Sequence, residues 1–516
     1  MPKLVRHGVS GTVVPEIRVE VGRHDFPRTR LRFRGLARPG RARLRRDEHR
    51  GLGDHVPVGN TGTRDGGNRV TIAPHWRMWS ARFAHSLLLS TSIIKSLQLG
   101  PVIFCYISCN IRGIKMIEIP GKYCTAKVYT DNIEEAAFKQ IMNLMNQPFA
   151  AGSDCAIMPD CHAGVGCVIG LTAKITDKVV PNLVGVDISC GMLVVKVGKG
   201  VPIDLKQVDK IMHRDIPSGM NHRSTKHRYA DRVALDEMLA PVNVEKLKLS
   251  IGTLGGGNHF VEINVDSEGN HYFVIHSGSR HLGIEVCRYY QDLAVKYHRN
   301  DRTALQDAIK KLKHEGRERE IEETIQKMNA DRPSVPNELA YLEGPLMTDY
   351  LHDMKIAQEF ACCNREAMME VLLDGLGIRP RDILAKFCTL HNYIDLEQKI
   401  LRKGSISLLK GERAIIPMNM RDGSLIVEGK GNPDWNYSGP HGAGRLMSRS
   451  KAKETLRMED FKASMEGIYT TCVSTGTIDE SPMAYKPYEE IMANIEPTAT
   501  IIERIKPIYN FKASEA

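Results

Sequence analysis

Six side chains in this sequence could act together on a metal ion or a phosphate: Asp187, Cys190, His259, His276, His391 and His441. Asp187 and Cys190 lie three residues apart in Val-Gly-Val-Asp-Ile-Ser-Cys-Gly-Met (184–192), between glycines that allow close backbone approach. Carboxylate oxygen and thiolate both donate to a divalent cation. The plainer reading is a buried structural cysteine beside a turn-forming aspartate. Each histidine has a similar setting. His259 follows Gly-Gly-Gly-Asn, His276 precedes Ser-Gly-Ser-Arg, His391 precedes Asn-Tyr, and His441 precedes Gly-Ala-Gly-Arg. These are strand ends or glycine-rich loops, where a side chain can face a cleft. Any one of them could be a hydrogen-bonded structural residue. Taken together with Asp187 and Cys190, they offer enough ligands for two metals, with one thiolate bridging.

Asp160 and His162, in Asp-Cys-His, could reach such a site or only shape a turn. The sequence has no G-x-x-x-x-G-K-[ST] phosphate loop, no H-E-x-x-H helix and no K-x-D-G nucleotidyl-transfer motif. Gly255-Gly256-Gly257 could present backbone N–H groups to a phosphate, although turns use glycine as readily.

The positioning elements read as short strands with glycine punctuation and a few long helices. Strands are expected at 117–119, 126–129, 157–170, 193–195, 272–275, 414–417 and 424–427. A helix over 134–146 could be capped by Asp131 or Asn132, and another is expected over 205–212. Over 347–373, Met354, Ala357, Ala361, Met368 and Leu372 share one helical face. The charged stretch 300–330 reads as a solvated helical face. Without a repeated strand–helix period, this pattern predicts an α+β fold.

The formal charge of +10 suggests nucleic-acid binding until it is located. Residues 1–100 hold 17 Arg and 2 Lys against 7 acidic residues, and the remaining 416 carry a net −2. The overall charge is therefore no argument that the body binds RNA. Residues 1–83 are Arg- and Gly-rich, and an apolar segment follows. At Met116 the composition turns to ordinary globular patterning. The expected division is an N-terminal extension over 1–115, disordered or translated from a misplaced start, and a catalytic domain over 116–516. A basic RNA-binding arm is the other reading of the extension. The twelve cysteines show no C-x-x-C pair, which suits a reducing cytosol. The apolar run 87–111 is broken by Lys95, Gln98 and Gly100-Pro101, so no membrane span is expected.

Asp160-Cys161-His162, residues 184–192, 255–262, 276–280 and 440–445, and Tyr485-Lys486 occur together in this order. On these motifs the body from Met116 closely resembles the RtcB family of RNA-splicing ligases, over about 400 residues and that family's full length. The resemblance implies a GTP- and manganese-dependent enzyme with two Mn2+ ions. Its substrate would be RNA carrying a 3′-phosphate or 2′,3′-cyclic phosphate and a 5′-hydroxyl. It further implies a cytoplasmic monomer acting in tRNA splicing or RNA repair, with an activating protein as a possible partner. Asp187, Cys190 and His259 would hold one manganese, and Cys190, His276 and His391 the other. His441 would be the nucleophile that takes GMP. Asn258, His259, Phe260, Val261, Glu262, His391, Asn392, Pro417, Met418, Asn419, Met420, Ser424, His441, Gly442, Ala443, Gly444 and Lys486 match the guanylate pocket. Arg280 and Arg449 match positions that hold RNA phosphates. Donor types alone would suit zinc as well, so manganese rests on the resemblance.

Three departures stand out: Ser189 for a usual Gly, Met418-Asn419 for Gly-Ser, and Gly439 for the commoner Ala. None removes a ligand or the nucleophile, and guanylate affinity is the property most exposed to change. Two rival functions are a manganese-dependent cyclic phosphodiesterase without ligation and a non-catalytic RNA-binding protein.

Overall fold

The site is organised by the edge of one antiparallel sheet. The computed structural model describes residues 116–322 and 335–513, so expectations about 1–115 lie outside the described residues. The seven strands of this sheet run in the order Ile383–Leu390, Gly191–Val197, His271–Ser277, Phe260–Val265, Ala499–Lys512, Gly423–Gly429, Arg413–Asn419. Every neighbouring pair is antiparallel. A six-stranded sheet holds Cys155–His162 and Ile169–Lys174, and its one parallel pair joins Thr125–Val128 to Cys155–His162. One antiparallel and one mixed sheet with flanking helices bear out the α+β expectation.

The helix Gly344–Gly375 links two cores. Met354, Ala357 and Phe360 pack in a cluster with the Glu135–Met145 helix, while Met368, Met369 and Leu372 join the seven-stranded sheet and the helix Leu205–Asp215. The expected apolar face of the long helix is fully buried. Where this helix crosses between the cores it carries polar residues inward, Asn364 and Arg365, both buried.

Two expectations about helices change. The Glu135–Met145 helix is entered through Glu134 with no side-chain cap; Glu134 instead accepts the Ala163 N–H at 2.6 Å, tying the helix to the Asp-Cys-His segment. The charged helix starts earlier than expected. It spans Arg280–His314 and leaves directly from the strand that carries His276.

Candidate metal and nucleotide site

Four neighbouring strands bring four of the six side chains to one end of the sheet. Cys190 precedes the strand Gly191–Val197, His391 follows Ile383–Leu390, His259 precedes Phe260–Val265, and His276 is the penultimate residue of His271–Ser277. Because the strands alternate in direction, entering and leaving ends meet at this edge. The register confirms it: Gly191 lies opposite Leu390, and His276 opposite both Met192 and Phe260. Asp187 arrives on the turn closed by Cys190 N–H donating to Asp187 O at 3.1 Å. Ser189, inside that turn, has φ +58° and a buried hydroxyl without a partner among the described residues. Gly278 has no side chain for a reason: a β-carbon there would collide with the Asp187 carboxylate.

Cys190 Sγ lies 3.4 Å from His259 Nε2 and 3.2 Å from His276 Nε2. His276 Nε2 is 3.0 Å from His391 Nε2, and His259 Nε2 is 2.8 Å from Asp187 Oδ2. The donor atoms fall into two groups, Asp187–Cys190–His259 and Cys190–His276–His391, each within 4.8 Å. These are the two ligand sets expected from the sequence, sharing Cys190. The tautomers fit cations. His259 Nδ1 donates to Leu254 O at 2.9 Å and His276 Nδ1 donates to Asn258 O at 3.2 Å. Their Nε2 lone pairs therefore face the cluster. For His259 that places a lone pair against a carboxylate oxygen, a repulsive arrangement unless a proton or cation lies between them.

The electrostatics agree. Burial, reinforced by neighbouring imidazoles, holds His276 and His391 well below the usual histidine range, so both are neutral donors. Burial works against the Asp187 charge, but positive charge on its His259 side and hydrogen bonding from Cys190 outweigh it and keep its carboxyl at about 2, the role a cation between Asp187 and His259 would take. Burial and the Asp187 charge raise the Cys190 thiol well above its ordinary value, an effect that a bound cation reverses.

His441 stands beside this cluster, its ring stacked on His391 with centroids 4.8 Å apart. It follows the short strand Ser438–Pro440. Its Nδ1 donates to Asp160 Oδ2 at 2.7 Å, which leaves Nε2 with the lone pair. Asp160, fully buried, thus shapes the site, which the sequence left open.

Around His441 lies a cavity of about 330 Å3. Of the expected nucleotide positions, Asn258, Phe260, Glu262, His391, Pro417, Met418, Asn419, Met420, Gly442, Ala443 and Gly444 line it. Others do not. Val261 points to the opposite sheet face and packs with Phe273 and Phe511 in the core, as strand alternation requires. Ser424 is buried opposite Pro417, and Asn392 donates to Asp187 O and accepts from Gly404 N–H. Lys486 Nζ donates to Pro159 O at 3.4 Å and to Glu490 at 3.2 Å, behind the lining. Asn419 spends its side chain on its own turn, accepting from Arg421 and Asp422 N–H and donating to the Asp422 carboxylate. Of the two arginines, Arg449 lines the cavity, whereas Arg280 is tied to Thr253 Oγ1 at 3.1 Å and Gly219 O at 2.7 Å.

The sequence reading missed Lys512 and Glu480, and gave no role to Arg445 and Tyr485 of its motifs; all four also line the cavity. Lys512 ends the strand Ala499–Lys512, opposite Phe260. A basic residue at the end of a long apolar-patterned strand was the available signal.

The profile of the family described as tRNA-splicing ligase RtcB matches residues 140–246 and 240–513. The chain belongs to the RtcB family. It is similar to the RNA-splicing ligase RtcB of Escherichia coli K12, 31% identical over 420 residues that cover 73% of this chain and 94% of that protein. It is also similar to the tRNA-splicing ligase RtcB of Methanococcus maripaludis, 25% identical over 464 residues (73% of this chain, 90% of that protein). The RNA-splicing ligase RtcB of Mycobacterium tuberculosis is 27% identical over 442 residues, covering 68% of this chain and 94% of that protein. Membership places the ligand cluster, His441 and the cavity within the matched residues of an RtcB-family chain. Among the described residues, no helix is long and apolar enough to cross a membrane.

Proposed function

We propose that this chain is an RNA ligase that joins a 3′-phosphate or 2′,3′-cyclic phosphate end to a 5′-hydroxyl end, using GTP and two Mn2+ ions. The observation that carries the proposal is the convergence of Asp187, Cys190, His259, His276 and His391 beside His441, whose Nδ1 is held by Asp160 so that Nε2 is the free ring nitrogen. The five side chains would hold the ions, and bound divalent ions neutralise charge developing on phosphoryl oxygens.

His441 Nε2 attacks the α-phosphorus of GTP, forming a phosphoramidate and releasing pyrophosphate. A cyclic end is first opened by water, which breaks the P–O2′ bond and leaves a 3′-phosphate and a 2′-hydroxyl; the RNA 3′-phosphate then displaces the imidazole, giving an RNA(3′)pp(5′)G end. Finally the 5′-hydroxyl attacks the RNA phosphorus and expels GMP, closing the phosphodiester. Asp160 holds the ring while GMP is taken up and while it is passed on. Glu262, a buried carboxylate in the cavity wall, suits the N–H edge of guanine. Arg449 suits a phosphate of the RNA. On this reading the enzyme acts as a monomer in tRNA splicing or RNA repair in the cytoplasm, with an activating protein as a possible partner.

Incubation with α-labelled GTP and Mn2+ tests the reading. A covalent GMP adduct that His441→Ala abolishes is expected. Absence of any adduct from the intact chain, with cyclic-phosphate opening retained, would replace ligation by the phosphodiesterase reading.

A further inference from the structure

One buried carboxylate touches two cations of the cavity wall, Arg449 and Lys512. Glu480 closes the helical turn Thr475–Glu480, and its side chain is 3% exposed. Its Oε1 forms an ion pair with Arg449 Nη1 at 2.7 Å and accepts a hydrogen bond from Arg445 Nη1 at 3.3 Å. Its Oε2 accepts from Tyr485 Oη at 2.7 Å and from Lys512 Nζ. The preceding residue behaves differently: Asp479 Oδ2 accepts from Arg449 Nη1 at 2.6 Å, and no contact joins Asp479 to Lys512 among the described residues. Arg449 meets both carboxylates through Nη1 alone. Its Nε and Nη2 have no partner among the described residues, and the side chain is 36% exposed. Lys512 also donates to Asn258 O at 3.4 Å, on the nucleotide side of the cavity.

We propose that Glu480 is a positioning residue that couples the two substrate subsites, one oxygen holding Arg449 toward the RNA phosphate and the other holding Lys512 toward the nucleotide. This rests on the ligase reading above. A long cation such as Lys or Arg loses substantial rotamer freedom when it is held in one place. A buried carboxylate fixes two of them at once, and two full charges within hydrogen-bond distance make each contact stronger than a neutral one. Removing the charge of Glu480 loosens both cations together, whereas removing that of Asp479 loosens Arg449 and leaves Lys512 held.

The test uses the full chain and two near-isosteric variants of the same turn, Glu480→Gln and Asp479→Asn. Two constants are measured with Mn2+ present: KM for GTP in adduct formation, and the half-saturating concentration of RNA 3′-phosphate in single-turnover GMP transfer from the preformed adduct. In Glu480→Gln both are expected to rise about tenfold, with the saturated rates changed less than about threefold. In Asp479→Asn only the RNA constant is expected to rise. If Glu480→Gln moves neither constant, or only one, the proposal is overturned. It is also overturned if both variants raise both constants alike, as general loosening of the turn would. If the wild-type chain forms no adduct, the ligase reading falls and takes this inference with it.

Discussion

Asp160 Oδ2 gathers three donors from one loop: His441 Nδ1 at 2.7 Å, His441 N–H at 3.1 Å and Gly442 N–H at 3.3 Å. The carboxylate therefore fixes the tautomer of His441 and the path of the backbone that carries it. Asp160→Asn keeps the shape, but the two backbone N–H groups oppose an amide N–H there, and a neutral oxygen in its place loses the charge that holds and activates the ring. The expected result is a loss of roughly a thousandfold in the rate of GMP-adduct formation, with bound metal unchanged. A rate within about tenfold of wild type would show that Asp160 only shapes the turn.

Cys190 belongs to both donor groups, and His391 belongs to one. Elemental analysis after equilibration with Mn2+ and gel filtration should find two ions per chain in the wild type. Cys190→Ala should lose both, while His391→Ala should retain one. Retention of both ions by Cys190→Ala would exclude a bridging thiolate.

Much of this site could be read from the sequence because its candidate ligands sit at strand ends, most of them marked by glycine. Register then brings His259, His276, Cys190 and His391 to one sheet edge without further information. The partners that hold them in place were not legible. Asp160 meets His441 across 281 positions, and Lys512 meets Glu480 across 32. Both contacts join separate segments through buried polar atoms, and neither leaves a periodic pattern. Arg365 is a similar case. It sits inside a helix whose apolar face was evident, yet it is fully buried and donates to Ser189 O and Ser277 O at 2.8 Å.

Glu262 gives a pH prediction. Burial pushes its carboxyl up to about 7 from an ordinary 4.5, although hydrogen bonds from Asn264 and Asn510 and the Lys512 charge favour the ionised form. The folded chain therefore holds this proton more tightly than the unfolded one. The resulting stability is complete below about pH 4.5 and is lost as pH rises through about 7. The change across this window is on the order of 3 kcal/mol. Glu262→Gln should flatten the decline in denaturation midpoint between these pH values. An identical pH profile in the variant would show that Glu262 does not carry it.

Ser189 occupies a left-handed position with φ +58° and buries a hydroxyl that has no partner among the described residues. The conformation costs a non-glycine residue about 1–2 kcal/mol, part of which glycine returns through its larger unfolded-state entropy. Ser189→Gly should raise the unfolding free energy by about 1 kcal/mol in denaturant titration, with metal retention unchanged. A destabilised variant would mean that the hydroxyl is satisfied in solution.

Asn364 gives the strongest expectation about stability. From the middle of the long helix its Oδ1 accepts the N–H groups of Gly252 and Thr253 at 2.9 and 3.0 Å, and its Nδ2 donates to Ser277 Oγ and Gly278 O at 3.1 and 3.2 Å. These four contacts join the segment leading to His259 with the one that follows His276, and Gly278 packs against Asp187. Asn364→Leu fills much of the volume but strands two buried N–H groups, and each orphaned group costs about 1–3 kcal/mol. A loss of roughly 3 kcal/mol in unfolding free energy is expected, accompanied by weaker retention of the ion assigned to Asp187 and His259. The ion assigned to His276 and His391 should be retained more firmly, because His391 is held from the neighbouring strand by its N–H donating to Cys190 O at 3.0 Å. Equal loss of both ions would show that the Asn364 contacts support the whole sheet edge rather than the loops around His259.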